Sequence, residues 1–157
     1  MELFIPRLVH CKLMHWVHMA DIEVSGMGRV SYHAAEKVIE VHDVYMVAQK
    51  GGAAHTELAP EALNKLAFST RGQPGSLRFW WHSHVNMDVF WSGQDRATIE
   101  QLGQPGWCVA SVFNKREEVK SSIGVAIETK ASMPGLDSKH VQIIDIETRI
   151  IDDIKDE

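Results

Sequence analysis

The chain has 157 residues, 45% of them apolar, and a net charge of -5, which suits one soluble domain with its own core and, with no basic cluster, argues against nucleic acid as a partner. No apolar run approaches the roughly 20 residues of a membrane-spanning helix, and the N-terminus lacks the basic then apolar pattern of a signal peptide. The two cysteines, Cys11 and Cys108, stand far apart, so the expectation is a reducing, cytoplasmic setting without a cysteine-based zinc site.

In chain order, the apolar spacing of Val9, Leu13, Trp16, Val17 and Ala20 predicts a helix from about Pro6 to Met19. A strand is expected at about Ile22 to Ser31, where Ile22, Val24 and Val30 are apolar and Gly26 and Gly28 permit close backbone approach. In strict alternation Glu23 faces away from Ile22 and Val24, so this segment alone reads it as an exposed carboxylate. A second strand runs from about Glu36 to Val47, rich in valine and isoleucine. Gln49 to Glu57 is a polar loop whose Gly51-Gly52-Ala53-Ala54 does not match a phosphate-cradling pattern. A helix follows at about Pro60 to Ser69, with proline in its first turn.

Ser76 to Trp81 reads as a strand leaving the turn Gly72-Gln73-Pro74-Gly75. Trp107 to Asn114 and Glu118 to Thr129 form a hairpin about the charged turn Lys115-Arg116-Glu117. Val141 to Ile146 reads as a strand, although Ile143, Ile146, Ile150 and Ile154 also fit helical spacing. Residues 148–157 read as a tail. Interleaved helices and strands predict a single α/β or α+β domain over residues 1–157.

The chemistry concentrates at His82-Ser83-His84, followed after seven residues by Ser92-Gly93-Gln94-Asp95. Residues two apart on a strand share a face, so His82 and His84 can bind one ion while Ser83 points away. Ser92, with an acid three positions on and a helix-compatible run beyond it, has the form of a capping box, which sets Asp95 in a first helical turn. Two imidazoles and a carboxylate leave the fourth position of tetrahedral zinc for water, the catalytic arrangement. Such a water needs a base, and Glu23 is the candidate.

Glu23 in a Glu-x-Ser-Gly-x-Gly setting, the His82-Ser83-His84 triplet and Ser92-x-x-Asp95 resemble the pattern of the JAMM, or MPN-plus, metalloproteases. The resemblance spans about Glu23 to the strand after Asp95. It implies a curved mixed β-sheet flanked by helices, with cytidine-deaminase-like layering. It also implies Zn2+ held by His82, His84 and Asp95, with Glu23 as general acid and base and Ser92 stabilising the oxyanion. The implied activity is cleavage of isopeptide or peptide bonds after the C-terminus of ubiquitin or a ubiquitin-like modifier, and the implied partners are that modifier with its activating and conjugating proteins. Many eukaryotic deubiquitinases of the family carry proline after the second histidine; here Val85 stands there, which points to a compact prokaryotic or viral relative. Two other readings go with the pattern: a non-catalytic MPN-type scaffold, and a zinc amidohydrolase acting on a small amide conjugate.

The other histidines read as surface or core groups, including His15 and His18, whose i, i+3 spacing could only make a weak second metal site. Trp80, Trp81, Phe90 and Trp91 frame the motif. Core packing explains them, and Phe90 or Trp91 could also line a groove for a substrate tail.

Overall fold

The computed structural model describes residues 1–47, 49–50, 57–129, 135 and 138–152, with backbone alone at 49, 50, 57 and 58. The Gly51-Gly52-Ala53-Ala54 stretch, His55 and Ile154 lie outside the described residues.

The chain begins with a strand that the sequence conceals, β1 (Glu2–Pro6). Leu3 and Ile5 alternate into the core and are fully buried. Pro6 has no N–H to extend a ladder and its fixed φ suits a helix start, so the chain turns there into α1 (Arg7–Met19). Leu13, Met14 and Val17 bury the apolar stripe of α1, with Val9, Trp16 and Ala20 packed beside them. Then come β2 (Ser25–His33) and β3 (Val38–Met46), the two-residue strands β4 (Gln49–Lys50) and β5 (Glu57–Leu58), α2 (Pro60–Ser69) and β6 (Ser76–Ser83). The chain continues through α3 (Gly93–Gly103), β7 (Trp107–Phe113), β8 (Val119–Thr129) and β9 (Ser138–Ile151).

Among the described residues, seven strands close into a mixed barrel in the order β1-β3-β2-β6-β7-β8-β9. Strand β1 pairs in parallel with both β3 and β9, β6 pairs in parallel with β7, and the other neighbours are antiparallel. The expected curved mixed sheet flanked by helices, with cytidine-deaminase-like layering, is therefore not the fold. The physical reason lies in β1. An open sheet would leave rows of unpaired N–H and C=O groups on β3 and β9, and this one short strand covers both edges. Strand β9 reaches Ile151, so residues 148–151, read from sequence as the start of a tail, pair with β1. Its helix-like spacing arises because Ile146 and Ile150 pack on one core cluster while Ile143 packs on the other.

The two clusters lie on opposite faces of β6. Phe79 and Trp81 belong to the one lined by α1, where Trp81 stacks on Trp16 at 5.6 Å. Trp80 belongs to the other, with Ile99 of α3, Cys108 and Trp91. Close approach is built in at two glycines. Gly26 pairs in register with Trp81, and a Cβ there would fall 2.6 Å from the indole nitrogen. Gly124 of β8 would set a Cβ 2.8 Å from Ile99, so its bare backbone lets α3 settle on the barrel. Among the described residues no helix is long and apolar enough to cross a membrane.

Candidate metal centre

Strand alternation sets the centre's first half. His82 follows Trp80 on one face of β6, with the two rings parallel at 5.3 Å, and His84 lies one residue beyond the strand's end. The two imidazoles meet edge to face at 4.9 Å. Both are almost wholly buried.

The second half comes from the start of α3. Ser92 is its N-cap: Asp95 N–H donates to Ser92 Oγ at 3.1 Å, and Ser92 N–H donates to Asp95 Oδ2 at 3.0 Å, a complete capping box. Because the Ser92 oxygen only accepts within this box, its own O–H is left available to donate. The reciprocal bonds hold the Asp95 carboxylate over β6, with Oδ1 3.4 Å from His82 Nε2 and Oδ2 3.1 Å from His84 Nε2.

Glu23 arrives from a third direction. Strand β2 begins at Ser25, so Glu23 precedes the strand and strict alternation does not govern it. Its side chain is only 14% exposed, and Oε2 lies 3.8 Å from His82 Nε2. Ser83 N–H donates to the Val24 carbonyl at 2.9 Å, which ties this segment to the end of β6.

The donor set is one that could hold a metal ion. Glu23, His82 and His84 can each offer one ligand atom, all within 4.8 Å of one another; Asp95 lies outside that group but sets one carboxylate oxygen against each imidazole Nε2. Tetrahedral zinc with bonds of about 2.0–2.1 Å sets neighbouring ligand atoms roughly 3.3–3.4 Å apart, close to the observed nitrogen–carboxylate spacings. His84 supplies a second argument. Its Nδ1 faces the Asp88 carbonyl at 3.0 Å and its Nε2 faces Asp95, both of them acceptors. A neutral imidazole has one N–H, so His84 must either carry a second proton or direct Nε2 at a cation. A ring whose other nitrogen donates to a backbone carbonyl is the usual setting of a metal-bound histidine.

Electrostatics divides the two histidines. Burial pushes His82 down to about 4, against the pull of Asp95, so its ring is neutral at ordinary pH. Burial would lower His84 as well, but its bonds to Asp95 and the Asp88 carbonyl and the charges of Asp95 and Glu23 outweigh that, and its pKa is raised. Burial would raise Asp95, yet the His84 bond, the nearby His82 and the Ser92 contacts hold it below the ordinary carboxylate value.

Several supporting groups were not legible as such. Fully buried Asn114 donates from Nδ2 to the Met87 carbonyl at 3.1 Å, while its Oδ1 accepts from the Arg116 and Glu118 N–H groups. Arg116 donates to the Asn86 carbonyl and to Asp88, both at 2.8 Å. The β7–β8 turn thus braces the loop whose Asp88 carbonyl orients His84. An asparagine beside a charged turn was the available signal, but it marks a turn in any hairpin.

Val85 adopts φ 60°, the left-handed region that a β-branched residue rarely occupies. Its N–H donates to Ser83 Oγ at 3.1 Å and its carbonyl accepts from Lys115 N–H at 2.6 Å. Proline, locked near φ of about -65° and lacking the N–H, does not fit this backbone, which accounts for its absence after His84. Phe90 is exposed and meets the His84 ring edge at 4.8 Å, whereas Trp91 is buried in the core. His15 and His18 are exposed and belong to no metal-competent group among the described residues.

No protein-family model matches the chain, and no curated protein does. Among solved structures it is similar to the solution structure of protein DSY2949 from Desulfitobacterium hafniense, at 12% identity and a TM-score of 0.66 over 98% of this chain and 95% of that one. At that identity the likeness extends to the fold alone.

Proposed function

We propose that this protein is a zinc-dependent isopeptidase with JAMM-type site chemistry, acting in the cytoplasm after the C-terminus of a ubiquitin-like modifier. The observation that carries the reading is the convergence of His82, His84, Asp95 and Glu23, from three separate segments, on one buried point. His82, His84 and Asp95 would hold the ion. When bound, zinc supplies Lewis acidity and brings the pKa of a water down to roughly 7.

The chain's own groups do the remaining work. Glu23 takes a proton from the attacking water and returns it to the leaving amine nitrogen, so the amide C–N bond breaks without an unstable leaving group. The Ser92 hydroxyl donates to the oxyanion that develops on the carbonyl oxygen. A cavity of about 350 Å3 opens beside Glu23 and His84, lined also by Asp21, Ile22, Val85, Asn86 and Met87. Its partly apolar walls and its continuity with Glu23 suit an extended peptide tail.

The test is zinc content by elemental analysis together with hydrolysis of a fluorogenic ubiquitin-like C-terminal amide by the wild type and Glu23→Gln. Stoichiometric zinc and a kcat lowered by about 10² to 10⁴-fold in the variant are expected. Zinc without cleavage of any ubiquitin-like tail would transfer the reading to an amidohydrolase of small amide conjugates. Absence of zinc binding would leave the non-catalytic scaffold.

A further inference from the structure

Asp95 belongs to α3 and the histidines to β6, and residues 85–91 join them. Trp91, the last residue of that join, is 6% exposed and directly precedes Ser92. Its indole Nε1 donates to Ser122 Oγ on β8 at 2.8 Å. Ser122 is fully buried and donates in turn to Asp145 Oδ1 of β9 at 2.6 Å, while Lys120 Nζ donates to Asp145 Oδ2 at 2.8 Å. The donor directions admit one arrangement only. An indole can only donate and a carboxylate can only accept, so the Ser122 proton must point to Asp145 and its lone pair to Trp91. On its other side the Trp91 ring stacks on Trp80 at 6.2 Å, and Trp80 stacks on His82 at 5.3 Å.

Trp91 therefore bears on both halves of the donor set: by covalent adjacency on the Ser92–Asp95 box, and through Trp80 on the His82 ring. We infer that Trp91 is a positioning residue, whose N–H bond to Ser122 sets the Asp95 carboxylate against the histidine pair. The inference rests on the reading of His82, His84 and Asp95 as zinc ligands. Core packing alone does not require the bond, because the equally buried Trp80 Nε1 has no partner among the described residues. Among the described residues the indole N–H of Trp80, next to Trp91, is left bare, yet Trp91 is given an aligned acceptor held by a second bond to β9.

The test uses the whole chain as wild type, Ser122→Ala and Trp91→Phe. Three quantities are read: Zn2+ affinity against a chromogenic chelator, the visible absorption spectrum with Co2+ in place of zinc, and Tm. Loss of a group bonded directly to a ligand lowers metal affinity by about 10- to 100-fold, so both variants, one step further out, are expected to bind zinc more weakly by up to about tenfold and to show a displaced Co2+ spectrum. Trp91→Phe keeps an aromatic ring while removing the N–H, and serves if Ser122→Ala does not fold. A lower Tm with unchanged zinc affinity and an unchanged Co2+ spectrum would overturn the positioning role alone. A wild type that binds neither ion would overturn the zinc reading beneath it.

Discussion

On one face of β6, Phe79 and Trp81 pack under α1, and the Trp81 indole N–H donates to the Tyr45 carbonyl at 3.2 Å. On the other, Trp80 and His82 face α3, and Trp80 Nε1 is buried without a hydrogen-bond partner among the described residues. Among the described residues, the first face pairs its buried indole N–H, whereas the second leaves one bare and carries the buried His82 and Asp95 beside it. Buried polar groups are normally paired, so the contrast sets a packing face against the face that carries the candidate site. One residue of register separates the two roles.

The comparison breaks most sharply at Trp81. Trp81→Ala removes a fully buried ring and is expected to cost about 3–5 kcal/mol in urea unfolding. An effect under about 0.5 kcal/mol, the size typical of a surface change, would show that this face does not carry the barrel.

Ser92→Ala separates capping from catalysis on the other face. Loss of the cap costs about 1 kcal/mol of stability, and loss of an oxyanion donor raises the barrier by about 2.7–4 kcal/mol. The expectation is a large fall in kcat with a small fall in Tm; equal kcat would leave Ser92 a cap alone.

Acid sharpens the difference between the two histidines. Below His84's pKa, which is raised above the ordinary 6.5, the metal-free site carries a second proton on that ring, and His82 takes one only near pH 4. Zinc must displace that one proton. Its apparent Kd should rise about tenfold for each pH unit below His84's pKa, steepening near pH 4 as His82 competes. Chelator competition across pH 4 to 7 measures the slope, and a flat profile would remove His84 from the ligand set. The sign differs for folding of the metal-free chain. The raised His84 pKa stabilises it at low pH and that gain is lost as pH rises through the folded value, whereas the depressed Asp95 pKa stabilises it above the ordinary carboxylate pKa and fails as pH falls through the folded value.

Much of the candidate centre was legible because its parts are local. The shared face of His82 and His84 follows from strand alternation, and the Ser92–Asp95 box from a three-residue spacing at a helix start. Glu23 was harder to read: alternation pointed it to solvent, but β2 starts two residues later, and the packing of residues 21–24 beside β6 turns its carboxylate inward. The architecture was misread for a related reason. Five residues of β1 look like the lead-in to a helix, and their two strand partners lie far along the chain.

By itself the sequence determined the donor types, their spacing, the helix starts and the alternating faces of β6, since each depends on backbone periodicity over a few residues. Tertiary structure alone decided the closed barrel, the inward turn of Glu23, the left-handed Val85 and the bond from Trp91 to Ser122. Each of these depends on which distant segment supplies a hydrogen-bond partner or fills a volume, and short-range periodicity carries no record of that.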